Sequence, residues 1–433
     1  MVTDSPQIEL IARLWREVAG DLTPPPFAFS GPVTLDSAFA VSEFATASLA
    51  VAGMAASVAL FDEQPVTVDR PLASEWYGFA VRLADEIDPW DSIAGDYATS
   101  DGCIRLHTNA PHHKAAALQV LGCSDDRSAV ASAVLGWTAR ELETAIVEAN
   151  GCAAQQRSWS EWAAHEQGAA VMAEPLVSWS EGARGAHGGV RVLDLTRIIA
   201  GPVATRFLAG FGADVLRIDP PDWQEPLLEA DMTLGKRTAR LDLKTDAGID
   251  TLRTLASEAD VVVHGYRADA LEKLGLDFGE LRPGIVDIAI DAYGWTGPWR
   301  NRRGFDSLVQ MSSGIAEEGM RWFGRDTPTP LPVQALDHST GYLAAAAAFI
   351  GLARRNETGR GSRARLSLAR TAIELTGVGR GEEASPAPVQ VGSLLHTPWG
   401  SAQLLPPPVT VGDHALEWTR LPRPLGSDLP EWA

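Results

Sequence analysis

Gly189 to Pro221 reads GVRVLDLTRIIAGPVATRFLAGFGADVLRIDPP, and this stretch decides the fold class. Val190 to Thr196 is apolar enough for a buried parallel strand, Ala200-Gly201-Pro202 is a turn with Pro at a helix start, and Val203 to Phe211 is the helix. Gly212 ends it. Ala213 to Ile218 is a second apolar strand, at the spacing of a βαβ crossover. A ligand at such a unit sits at the carboxyl end of the first strand, here near Ile199 to Pro202. The turn lacks G-x-G-x-x-G, so a nicotinamide or flavin has no support, and a purely structural βαβ unit is the competing reading.

Downstream, Ala259 to His264 and Ile285 to Ile290 read as further strands separated by helical patterns, which makes residues 188–378 a Rossmann-like, parallel-sheet large domain. Residues 1–33 form an N-terminal helix and linker, and residues 87–180 read as a small α+β domain. In that domain Thr138-Ala139-Arg140-Glu141 is a capping box and Asn150-Gly151 a helix stop. Ser180 to Gly189 reads as a linker, and residues 379–433, rich in Pro turns, as a tail packed along the surface. The predicted fold class is therefore α/β, with a small α+β domain added.

The chain also resembles itself. Val41 to Leu60 lines up without a gap on Ala335 to Arg354, placing Glu43 on Asp337 and Thr46 on Thr340, and Ala73 matches Ala369 further on. Residues 34–86 are thus expected to be a partial repeat of the region around Asp337, unless the match reflects only shared alanine content.

With 433 residues, 45% hydrophobic and 21% charged, the chain suits a soluble globular protein with sizeable cores. A net charge of −20 argues against a nucleic-acid or anionic-membrane partner, because an acidic surface cannot supply counterion release. Cys103, Cys123 and Cys152 lack C-x-x-C spacing, which suits a reducing cytoplasm, and MVTDSPQIEL has no leader-like apolar run. Phe44 to Phe61 is uncharged, but its Ala, Ser and Gly content and the lack of flanking Lys or Arg favour a core helix over a membrane span.

Gly235 to Lys244, GKRTARLDLK, holds four cations in an acidic chain, a pattern that suits phosphate or a solvated charged face. His107, His112 and His113 have no ligand-spaced partner, so no metal is expected. Asp337 precedes an uncharged helix, where a carboxylate serves as an N-cap or as a nucleophile.

Taken together, LDLT-x4-GP-x5-L-x3-GADV, GKR-x3-LDLK, YGWTGP, the Gly304-Phe305-Asp306 turn with Gln310, and LDHSTG resemble the class III CoA-transferase family. Formyl-CoA transferase, carnitine CoA-transferase and α-methylacyl-CoA racemase belong to it. The resemblance implies a coenzyme A site lined by Ile199, Ala200, Lys236, Arg237, Leu241, Lys244, Tyr266, Arg267, Gly304, Phe305, Asp306 and Ser307. It implies Asp337 as the nucleophile, no permanently bound cofactor, acyl-CoA and a carboxylic acid as substrates, and a homodimer of interlocked chains. A helix N-terminus at Asp337 is expected to stabilise developing negative charge through its free N–H groups.

The sequence departs from the family in five ways. Pro220 stands where many members carry a phosphate-binding Arg, and the glycine-run loop of formyl-CoA transferase is missing. Phe305 occupies the place of the racemase branch's His, which disfavours the alternative of a racemase, epimerase or isomerase, although His338 beside Asp337 is a candidate base. The small domain precedes the nucleotide fold where the family has it after, and Glu43 replaces the aspartate in the repeat, so a catalytically silent CoA-binding subunit is a further alternative.

Overall fold

The computed structural model describes residues 6–84, 90–185, 190–267, 270–387 and 390–433. Residues 1–5 and residues 186–189 of the expected linker lie outside the described residues.

A seven-stranded sheet carries the large domain. In spatial order its strands are Arg237–Arg240, Asp214–Asp219, Arg191–Leu195, Val261–His264, Val286–Asp291, Arg360–Ser367 and Ser178–Arg184. All pair in parallel except the last, which runs antiparallel along Arg360–Ser367. The order reverses at Arg191–Leu195, so this strand's carboxyl end is the topological switch point, the place where ligands of such sheets bind. The central strand Val261–His264 is buried at every position, which is why it reads as a continuous apolar run.

Three elements differ from the sequence reading. Ser178–Arg184 is an edge strand where a linker was expected; it is half-exposed and polar, yet its backbone pairs with Arg360–Ser367. Arg237–Arg240 is a strand although three of its four residues are polar, because the C-terminal segment covers it: Thr238 bonds Asp428 and Pro424. The C-terminal residues are more than a tail. Gly400–Leu404 pairs with Val81–Leu83, and Val409–Val411 pairs with Val66–Asp69, tying the two ends of the chain into shared sheets.

The N-terminal module packs onto the large domain. The alanine-rich helices Val41–Leu60 and Ala335–Thr358 lie against each other at the centre of the main core, their small side chains allowing close approach. Val41–Leu60 has the length and hydropathy to cross a membrane, but 83% of that window is buried within the protein. The strand-to-helix step recurs too. Asp69 caps one helix by accepting from Leu72 N–H, and Ser367 caps the other by accepting from Arg370 N–H. These caps set the later offset at 298 (367 − 69), two more than the Ala73–Ala369 alignment gives.

The small domain is a three-stranded antiparallel sheet, Gly95–Ala98, Cys103–Leu106 and Ala153–Gln155, with helices Pro111–Leu121, Arg127–Val134 and Ala139–Glu148 on it. It meets the large domain along the helix Asp306–Ser312, where Cys152 and Ala154 join Leu308, Met311 and Ala316 in one apolar cluster.

Candidate active site

Asp337 lies in the first turn of Ala335–Thr358 and is only 7% exposed. Facing it is Asp306, whose Oδ2 accepts from Leu336 N–H at 2.8 Å and from Asp337 N–H at 3.0 Å. Gln310 donates from Nε2 to Asp306 Oδ1 and accepts from Leu331 N–H at 2.7 Å, which fixes the carboxylate. Two carboxyl groups thus share a closed space. Burial pushes Asp306 up to about 6 against the lowering effect of its donors, while burial and the charge of Asp306 hold Asp337 well above the usual carboxylate range.

This geometry corrects two expectations. Asp306 does not line a coenzyme A surface; it is 1% exposed and caps the helix that carries Asp337. The helix start has no idle donors either. Ala335 N–H bonds Val333 O, Leu336 and Asp337 bond Asp306, and His338 bonds Gln334 O. His338, the candidate base, stacks on Tyr77 of the N-terminal module at 5.1 Å, and burial holds its imidazole neutral.

The helix that carries Asp337 meets the switch point directly. A side chain at Gly341, one turn past Asp337, would strike Ala200 O at 2.4 Å, so glycine lets this helix rest against the start of Ala200–Gly210. Ile199 and Ala200 stand there, both buried. Before them Ile198 adopts φ +69°, a conformation that a β-branched residue takes only when its surroundings impose it. Glu225 Oε1 holds it by accepting Ile198 N–H at 2.8 Å, and Glu225 is itself anchored by the buried Arg217.

The basic cluster divides. Lys236 is fully enclosed, donating to Asp194 at 3.0 Å and to Pro202 O at 2.9 Å, so it braces the βαβ turn from behind and does not face a ligand. Arg237 is paired with Asp214 and stacks on Trp432, so it too is absorbed by the fold. Arg240, outside the expected site, donates to three carbonyls of Pro220, Pro221 and Trp223. Lys244 is exposed at the same strand end, beside the nearly buried Leu241. Tyr266 and Arg267 are half-buried beyond Val261–His264, and Arg267 donates to Asn301 O at 3.4 Å.

Sequence reasoning missed Arg197. Its guanidinium lies over the Trp223 ring at 5.1 Å, and its charge opposes the burial that raises the Tyr266 hydroxyl. Its position directly after LDLT was the available signal.

The Gly304 to Ser307 turn is the floor of the interdomain seam. Gly304 has no room for a side chain against Tyr293 and Ala292, Phe305 stacks on His107 at 3.8 Å, and Ser307 is buried. Arg302 clamps the seam by donating to Glu143 at 3.0 Å and to Ala153 O at 2.8 Å, while Arg157 pairs with the same Glu143. Two cavities, of about 170 and about 290 Å³, lie by Arg363 and Arg365; neither touches Asp337. Among the described residues no three His, Cys, Asp or Glu side chains converge to hold a metal.

Residues 188–393, which carry the switch point, the Asp306–Asp337 pair and the clamp arginine, match CoA-transferase family III. Over that region the chain is similar to this family. It is 33% identical over 188 residues to the acetyl-coenzyme A transferase nodX of Hypoxylon pulicicidum, a match covering 42% of this chain and 32% of that one. It is 32% identical over 191 residues to succinyl-CoA:glutarate CoA-transferase of Mus musculus, covering 40% and 43%. A hypothetical protein of Mycobacterium tuberculosis of known structure is 29% identical, with 45% and 58% covered and a TM-score of 0.39. The chain thus spans less than half the length of the two curated family III relatives.

Proposed function

We propose that the protein moves coenzyme A from an acyl-CoA to a free carboxylic acid, with Asp337 as the nucleophile. The observation that supports this reading is the buried Asp337, whose backbone N–H is bound by Asp306 Oδ2 and whose helix rests against the start of Ala200–Gly210 at the switch point. Coenzyme A would enter along Arg197, Lys244, Tyr266 and Arg267, where cations and an aromatic ring suit phosphates and a nucleobase.

In the first step an Asp337 oxygen attacks the thioester carbon; the carbonyl electrons move onto oxygen, and collapse expels CoA thiolate, leaving a mixed anhydride. The thiolate attacks the aspartyl carbonyl and releases the first acid, which gives an aspartyl-CoA thioester. The acceptor carboxylate repeats the two steps in reverse. No net proton is consumed, so the site needs ionised Asp337 and a donor for the oxyanion, but no acid–base pair.

That requirement favours transfer over racemisation, which needs a proton-transfer group on each face of the α-carbon. Phe305 offers none, and His338 is turned away on Tyr77. The silent-subunit reading leans on Glu43, whose Oε1 is occupied by Glu382 N–H at 2.8 Å. Three free cysteines and the acidic charge support a cytoplasmic setting, and the family resemblance supports a homodimer. Incubation with acyl-CoAs, trapping by hydroxylamine or borohydride and peptide mass mapping test the proposal: an adduct on Asp337 supports it, and its absence with every thioester overturns it.

A further inference from the structure

The segment His107-Thr108-Asn109-Ala110-Pro111-His112-His113 has no role in the account so far, although it forms the small domain's side of the seam. His107 follows the strand Cys103–Leu106, and its ring lies flat on Phe305, with centroids 3.8 Å apart and planes 3° from parallel. Phe305 directly precedes Asp306, the residue bonded to Asp337. His113, in the first turn of Pro111–Leu121, stands edge-on to the same Phe305 at 5.9 Å with Nε2 3.5 Å from Cys152 Sγ. His107 and His113 are 7% and 4% exposed, and neither Nδ1 has a hydrogen-bond partner among the described residues. A buried nitrogen left unmatched is costly, and two on rings packed against Phe305, the residue before Asp306, point to a ligand that completes them.

The reaction names that ligand. Attack by Asp337 creates an oxyanion on the thioester carbon, and catalysis depends on donors aimed at it. The start of the Asp337 helix cannot provide them, since its first four N–H groups are bonded to Val333, Asp306 and Gln334. Donors must come from the opposite wall of the seam.

We propose that His107 of the small domain is a catalytic residue, its imidazole N–H stabilising the oxyanion as Asp337 attacks the thioester, with Phe305 fixing its plane and His113 supporting it at the seam. The carbonyl π electrons pass to oxygen, that oxygen accepts the His107 N–H, and the proton stays on nitrogen throughout. Burial, with neighbouring charges, pulls His107 down to about 3 and His113 to about 4, so both stay neutral at working pH. A neutral imidazole polarises a carbonyl without pairing to, and so quenching, the Asp337 carboxylate. The inference rests on the transfer reaction proposed above.

The test uses full-length protein carrying Asp337→Asn, which binds thioester without turnover, and acetyl-CoA labelled with ¹³C at the carbonyl. Binding should move the carbonyl resonance downfield. Adding His107→Phe, which keeps the stack on Phe305, should abolish that shift at unchanged acetyl-CoA affinity, and His107→Asn should restore part of it. In the active enzyme His107→Phe should lower kcat roughly 100- to 1,000-fold, the usual effect of losing one oxyanion donor. An identical carbonyl shift with and without His107 overturns this inference and leaves the transfer reading standing. Failure to trap an Asp337 adduct strikes that reading instead.

Discussion

Asp306 Oδ2 accepts the backbone N–H of Asp337 at 3.0 Å, so the residue that caps the Asp337 helix also sets its negative charge against the Asp337 carboxyl. Its charge, together with burial, raises the proton affinity of Asp337.

Asp306→Asn should therefore move the acidic limb of the pH–rate profile to lower pH, because Asp337 ionises more readily once its charged neighbour is gone. Rates from pH 4 to 8 check this. An unshifted limb would mean that the two carboxyl groups do not interact.

The same pair makes stability depend on pH. A carboxyl whose folded-state value is raised contributes stability that is present below its ordinary value near 3.8 and lost as pH rises through about 6 for Asp306. The Tm difference between wild type and Asp306→Asn should thus favour wild type more at pH 4 than at pH 7. Calorimetric melts at both values measure it.

The basic cluster separates binding from bracing. Arg197→Ala and Lys244→Ala should each weaken coenzyme A binding by about 1.5–3 kcal/mol, as the loss of a charged hydrogen bond does. Lys236→Ala should act on stability, by about 3–5 kcal/mol, since it strands the buried Asp194. Titration calorimetry and urea melts distinguish the two outcomes.

Much of this was legible in residue order. The βαβ unit showed itself through Val190 to Ile218, where a buried parallel sheet demands unbroken apolar runs, and Asp337 through its motif. Arg237–Arg240 hid as a strand because its burial comes from Asp428 and Pro424, almost two hundred residues away. Ser178–Arg184 hid because an edge strand needs only its backbone. The contacts of Asp306 with Asp337 and of His107 with Phe305 span 31 residues and two domains, which no local pattern encodes.

The clamp across the seam gives a stability prediction. Glu143 is buried between Arg157 and Arg302, so Glu143→Gln leaves two cations short of their counter-charge and should cost about 3–5 kcal/mol. Limited proteolysis should then cut between the domains faster than in wild type. Equal rates would mean that the clamp does not hold the seam.

Mapping the covalent adduct after acyl-CoA incubation and hydroxylamine or borohydride trapping tests the central claim most directly. The account predicts modification of Asp337 in wild type, none in Asp337→Asn, and coenzyme A affinity nearly equal in both. An adduct on Glu43, or full transfer activity in Asp337→Asn, would contradict it.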